Sequence, residues 1–348
     1  METIFSIFDS LRYQLFDFGS RLALVYLGLS IVLAAAIWVF RGQPGSLLSW
    51  LFPAKVYRHK SNLLDIKLFL TFRVLTGIGL MGAVVFTPLA TFVVLGWLVA
   101  LFPDTPTQPI TFWRSAFATL VIVLAADFVK YWAHRMHHEY KPLWSFHAVH
   151  HSADVLTPLT LSRAHPVESI IRNIGVSMIV GLTQAVALFT FIGDIDLLTI
   201  GGANALYVAF NAVGANLRHS HVWLSYGPVL EHILISPAQH QVHHSMDLQH
   251  HNKNYGSMFA IWDWMFGTLY VPKNGPEDLR FGVADENGVP LPQMYPTLKA
   301  ALINPFIESA AVFRERREDG TDRSSGEERD MSGNLGDGSR IVSRELNS

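Results

Sequence analysis

The chain alternates long uncharged apolar stretches with shorter polar ones, and several of the apolar stretches have the length of membrane-crossing helices. Residues 22–40 (LALVYLGLSIVLAAAIWVF) carry no charge, and a hydrocarbon core needs about 20 such residues. Residues 74–102 are apolar without a break. At about 1.5 Å per residue this segment is roughly 43 Å long, long for one span and short for two; the loop beyond it, without lysine or arginine, favours one span, tilted or kinked at Thr87-Pro88, over two short ones. Residues 115–129 form a third span that runs directly into a histidine-rich stretch. Residues 174–193 and 195–215 pair as a hairpin over 174–215, joined by a tight turn at Gly193-Asp194.

Charge sets the expected sidedness of these spans. The polar segment 41–67 holds Arg41, Lys55, Arg58, Lys60 and Lys67 against Asp65, so the positive-inside rule places it in the cytoplasm. The loops at 103–109 and 193–196 contain no lysine or arginine and fit the outside. Five spans follow, with the N-terminus outside and every histidine group and the C-terminus in the cytoplasm. Residues 1–19 lack a basic region ahead of an apolar core, so no cleaved signal is expected. From Ser225 the chain is less apolar, and Pro228 and Pro237 break helices, as in a cytoplasmic cap. Residues 314–348 alternate Arg with Glu and Asp and are rich in Ser and Gly; too little apolar surface is present to offset the entropy of ordering, so this tail is expected to be disordered.

Composition agrees with a membrane protein. Half the residues are hydrophobic and charged residues are 16%, against about 25% in soluble domains. The net charge of −2 gives no nucleic-acid footprint. The absence of cysteine excludes disulfides and thiolate metal sites.

The chemistry lies in the histidines. Residues 131–152 (YWAHRMHHEYKPLWSFHAVHHS) hold six of the sixteen. His134 and His138 are four apart, and His147, His150 and His151 form an HxxHH triplet. A second triplet, His240, His243 and His244, follows a pair at His219 and His221. Residues three and four apart share a helix face, so each group can aim its imidazoles at one point. A single histidine near a helix end is more often a satisfied polar residue, and histidine-rich runs also occur as loose tracts. Here the spacing is regular, occurs twice, and is interleaved with Trp132, Leu143, Trp144, Phe146 and Val149. Imidazole without thiolate suits iron, zinc, copper or nickel, and so many ligands suggest more than one ion.

The order HRxxH (His134 to His138), HxxHH (His147 to His151) and a later HxxHH (His240 to His244) resembles the fatty acid hydroxylase/sterol desaturase superfamily of membrane di-iron enzymes. Flanking text agrees: Arg163, His165, Pro166 and Glu168 in RxHPxE, His219, Ser236 to Ser245, Asn254-Tyr255-Gly256, Trp262-Asp263 and Phe266-Gly267-Thr268. The resemblance covers 127–270 and implies an all-α, polytopic membrane helical bundle with a cytoplasmic histidine-rich di-metal cap. With the apolar and charge patterns, which alone mark the N-terminal spans and the tail, the chain divides into an N-terminal transmembrane region (1–126), a catalytic domain (127–270) that the resemblance covers, a cap segment (271–313) and the tail (314–348). The resemblance further implies an O2-dependent hydroxylase or desaturase acting on a C–H bond of a sterol, fatty acyl or related lipid. Two iron ions, O2 and an external electron donor of ferredoxin, rubredoxin or cytochrome b5 type would be required.

Carried over by position, the implied ligands are His134, His138, His147, His150, His151, His219, His240, His243 and His244. His137 falls at a variable position and is expected to support a ligand rather than bind. His221 stands where the family often has Asn, adding a ligand or a hydrogen-bond donor. Metal-bound histidines need their other ring nitrogen held, and Asp127, Glu139, Glu168, Asp247, Asp263 and His165 are candidates. Arg135 is expected to pair with an acid near the site. Trp132, Trp144 and Trp262 are expected to pack at the interface. His232, His250 and His251 are expected at the surface, and His59 in the basic loop. Two other classes compete. A metal transporter or sensor would place ionisable residues at mid-depth, and 22–40 and 74–102 have no acid or histidine there. A zinc-dependent membrane lipid hydrolase differs in metal geometry, which the sequence does not display.

Overall fold

The computed structural model describes residues 2–81, 85–106, 109, 111–192, 197–273 and 275–333. The expected turn at Gly193-Asp194, part of the 103–109 loop, and 334–348 of the expected tail lie outside them. Among the described residues the fold is all-helical, with isolated bridges and no strands.

The central element is a 28-residue helix, α5 (Phe112–Glu139). It carries the third apolar stretch and the first histidine pair in one continuous rod. Thr111 caps its start by accepting from the Arg114 amide. The chain leaves the helical conformation at Tyr140, and Pro142 opens α6 (Lys141–His151), so the first HxxHH triplet turns back toward the end of α5. Next comes α7 (Pro166–Ala187), packed along α5. Among the described residues, α5 and the extended α7 segment Pro166–Thr190 are the two helices long and apolar enough to cross a membrane.

Residues 74–102 are not one helix. α3 (Ser61–Gly77) ends in a turn through 78–81, with Gly79 at φ +84°, and Pro88 opens α4 (Thr87–Leu101). The left-handed backbone at Gly79 ends α3 where hydropathy alone shows no interruption. α3 starts beside Arg163 at the histidine end, and the chain after α4 places Phe102 against Phe189 at the other. α4 lies on α7, where Gly181 permits the contact: a Cβ there would meet the Ala90 Cβ at 2.6 Å.

The apolar stretch 22–40 yields α2 (Leu24–Phe40), 17 residues long. It packs along the segment after α8 (Leu197–Ala212): Arg21 donates to the Ala215 carbonyl, and Ala34 and Ile37 cluster with Leu217 and Val222. Large apolar side chains stay exposed on these helices, including Phe40 at 90% and Phe92 at 77%. Apolar surface on that scale fits membrane association.

α9 (Pro237–His243) brings the second triplet in, started by a capping box of Ser236 and Gln239. α10 (Leu298–Gly333) packs on α6. It continues past Arg314, where the sequence predicts an unstructured tail; a helix nucleated on a packed stretch extends at little further cost.

Candidate metal centre

The nine histidines implied as ligands converge into two groups, but not as the triplets suggest. His134, His138, His147, His151 and His243 form the first, and His150, His219, His240 and His244 the second; within each, one nitrogen per residue lies within 4.8 Å of all the others. Each HxxHH triplet is therefore divided. His147 and His151 go to the first group while His150, between them, goes to the second. His240 and His244 go to the second while His243 goes to the first. The expectation that each triplet aims at one point is corrected accordingly. Residues four apart share a helix face, but neighbours such as His150 and His151 diverge by about 100°.

Backbone carbonyls and one acid fix the ring orientations. His134 Nδ1 donates to the Tyr255 carbonyl (2.8 Å) and His243 Nδ1 to the Lys253 carbonyl (2.8 Å). These acceptors lie on a loop in which Asn252 and Asn254 adopt left-handed φ of 59° and 57°, a conformation asparagine tolerates. Asp263 clamps the loop by accepting from the Tyr255 and Gly256 amides and the Thr268 hydroxyl. Gly256 is needed for closeness, since a Cβ there would lie 2.4 Å from the Phe259 carbonyl oxygen. In the second group, His150 Nδ1 donates to the Arg163 carbonyl (3.0 Å). Arg163, fully buried, is held by Asp65 (2.9 Å), Ser61 and Ser152. Glu168 Oε2 lies 3.2 Å from His147 Nδ1. The contact is out of line with the N–H, yet a carboxylate that close still holds the proton on Nδ1.

With Nδ1 protonated, the facing nitrogens are bare. His134 Nε2 and His147 Nε2 are 3.1 Å apart. Neither has a proton for the other, so two lone pairs oppose each other unless a cation lies between them. Buried Nε2 atoms of His138, His151 and His243 have no partner. In the second group, His219 Nε2 lies 3.1 Å from Nε2 of both His240 and His244 and 3.4 Å from that of His150. Burial, reinforced by neighbouring imidazoles, pulls His151, His219, His240 and His244 well below the ordinary histidine pKa, His150 to about 4 and His243 to about 3. Neutral imidazole is the form that ligates. Both groups thus fit a metal ion.

Several supporting residues differ from expectation. Asp127 accepts from the Met258 and Phe259 amides and the Trp262 indole, bracing the loop rather than a ligand. His165 does not reach a ligand; it caps α7 by accepting from the Val167 amide, with its other nitrogen on the Leu302 carbonyl. Glu139 pairs with Arg135 (2.9 Å), as expected of that arginine, and Asp247 pairs with Arg280. His250 is buried beside Glu277, not at the surface. His221 donates to the Trp50 carbonyl, and His137 Nδ1 to the Ala133 carbonyl; neither joins a group. Trp144 borders a cavity of about 220 Å³ with His138, His151 and His243, rather than packing only at the interface. The roles of Arg163 and of the Lys253 and Tyr255 carbonyls escaped the sequence reading, although RxHPxE and Asn-Tyr-Gly mark their places.

A cavity of about 400 Å³ reaches both groups, touching His134 and His147 of the first and His150, His219 and His240 of the second. A separate apolar cavity of about 390 Å³, between Leu22, Ile31, Leu51 and Leu159, shares Leu22 with it.

Comparison with known proteins places this arrangement. Residues 119–268 match the family model described as fatty acid hydroxylase. Ornithine lipid hydroxylase OlsE of Rhizobium tropici is 33% identical over 163 residues, 46% of this chain and 44% of that protein. Human alkylglycerol monooxygenase is 31% identical over 45% of this chain and 30% of its own length. Delta(7)-sterol 5(6)-desaturase ERG3A of Gibberella zeae is 30% identical over 49% and 42%. The chain thus spans less than half the length of these relatives. No solved structure matches it.

Proposed function

Residues 119–268 carry a domain of the fatty acid hydroxylase/sterol desaturase superfamily, and on that premise we propose that the protein is an O2-dependent, di-iron lipid hydroxylase or desaturase. The observation that carries this reading is the pair of histidine groups opening onto one cavity. His134, His138, His147, His151 and His243 would hold one iron, and His150, His219, His240 and His244 the other. The bound irons would supply the O2 chemistry that side chains lack. The chain's own part is to hold Nδ1 protons on the Tyr255, Lys253 and Arg163 carbonyls and toward Glu168, so that Nε2 faces inward.

The substrate would be a lipid whose chain lies in the separate apolar cavity that meets the histidine cavity at Leu22. We place the histidine end in the cytoplasm, beside the basic 41–67 segment. There a ferredoxin, rubredoxin or cytochrome b5 type donor can reach it. Comparative lipid mass spectrometry of cells expressing the chain or His150→Ala tests the reading. The wild type is expected to yield a lipid that gains one oxygen or loses two hydrogens, only in air. Hydrolysed lipid formed without O2 would replace this reading with the zinc hydrolase.

A further inference from the structure

The cavity beside the two histidine groups is strongly cationic. Arg21, Arg73, Lys130, Arg172 and Arg218 line it, and Glu168 is its one acidic lining residue among those described. Glu168 is already engaged by His147 (3.2 Å) and Arg172 (3.6 Å). Asp127, next along the wall by Lys130, has both oxygens taken by amides and the Trp262 indole. Among the described residues, Arg21, Arg73, Lys130 and Arg218 form no ion pair within 4 Å.

Part of this charge has a bracing job. Arg218, 2% exposed, donates to the Ser257 and Ile235 carbonyls, and Arg21 to the Ala215 carbonyl. Even so, the buried Nε atoms of Arg21, Arg73 and Arg218 have no partner. Those atoms have no access to the open space, but the guanidinium groups still bring their charge to a wall where five cations face one acid among the described residues, a setting that suits an acceptor-rich anion. The cations also sit close to the proposed ligands: Lys130 is one helical turn before His134, and Arg218 directly precedes His219. Neither histidine group contains a carboxylate, so bound divalent ions would add positive charge that Glu168, beside His147, offsets only in part.

We propose that this cavity binds an anionic group of the lipid substrate, a phosphate or carboxylate, and so sets the oxidised carbon a few bonds from that group. Guanidinium clusters suit such oxyanions because their donors match the acceptor geometry. Neutral lipids would leave the arginines unpaired. The inference rests on the lipid-oxidising reading above for the word substrate, but not for the binding itself.

The test is calorimetric titration of the metal-loaded full chain in a nonionic detergent without oxygen. The probes are dodecyl phosphate, laurate, dodecyl glycerol and inorganic phosphate. Dodecyl phosphate and laurate are expected to bind at least about tenfold more tightly than neutral dodecyl glycerol, as charge-assisted pairing predicts. Inorganic phosphate is expected not to displace them at equal concentration, which separates a lipid anion site from a free-anion site. Arg73→Gln is the mildest variant, because among the described residues the Arg73 guanidinium donates one hydrogen bond, to the Ser10 hydroxyl at 3.3 Å, and otherwise lies over the Phe69 ring. It is expected to weaken dodecyl phosphate about fivefold and leave dodecyl glycerol unchanged. Equal binding of dodecyl glycerol, full competition by inorganic phosphate, or an unaltered Arg73→Gln would each overturn the proposal. The wild-type comparison stands without any variant. Tight dodecyl phosphate binding by a chain that oxidises no lipid would leave the anion site standing and remove the oxygenase reading.

Discussion

His150 and His151 are neighbours in sequence and belong to different groups, because consecutive helical residues project about 100° apart. The sequence displays which histidines can gather at a metal centre, since spacing three and four apart is local. It does not display the division, which depends on which second helix approaches each face. The same limit applies to supporting residues. Glu168 and His165 lie three apart, yet one faces His147 and the other caps α7. Glu168→Gln tests the first role, since it removes the charge beside His147 Nδ1 and keeps an acceptor. Loss of such outer support is expected to lower metal affinity of the first group by about tenfold to a hundredfold, read by chelator competition, with the second group unchanged. Equal weakening of both ions would show that Glu168 acts on the fold instead.

At the scale of elements, α4 and α7 approach through small residues, as helices do where lipid gives no hydrophobic drive. Gly181→Val would put its Cβ against Ala90 and the Thr87 carbonyl oxygen (3.1 Å), whereas Gly28 on α2 faces open space. Overpacking of that kind costs about 1–3 kcal/mol. Gly181→Val is therefore expected to lower the melting temperature in detergent clearly more than Gly28→Val. Similar values for the two would show that the helices separate freely. The buried Asp65–Arg163 pair ties α3 to the segment that holds His150. Arg163→Met strands the Asp65 carboxylate and is expected to cost about 3–5 kcal/mol, measured by denaturant unfolding. A stability within about 0.5 kcal/mol of wild type would assign the pair no structural weight. Hydropathy made α5 and α7 legible because their apolar runs are long. It missed the break at Gly79, a backbone event, and the packing of α2 along the 214–222 segment, a long-range one.

The whole molecule joins an apolar helical layer to a buried histidine end. The histidines and the broad architecture were readable from local pattern. The cationic cavity was not, because Arg21, Arg73, Lys130, Arg172 and Arg218 come from separate parts of the chain and meet only in the fold. Sidedness can be tested directly, since the chain has no cysteine. An impermeant thiol reagent on intact cells is expected to label Thr105→Cys and to label Glu286→Cys only after permeabilisation; the reverse pattern would invert the orientation. We propose that nine imidazoles, six of them from two triplets each split between the groups, hold two metal ions. Metal content of the purified, iron-saturated chain is to be measured beside His150→Ala and His151→Ala. Two ions are expected in the wild type and one in each variant, with His150→Ala emptying the second group and His151→Ala the first. A wild type that saturates at one ion, or two variants that lose the same ion, would contradict it.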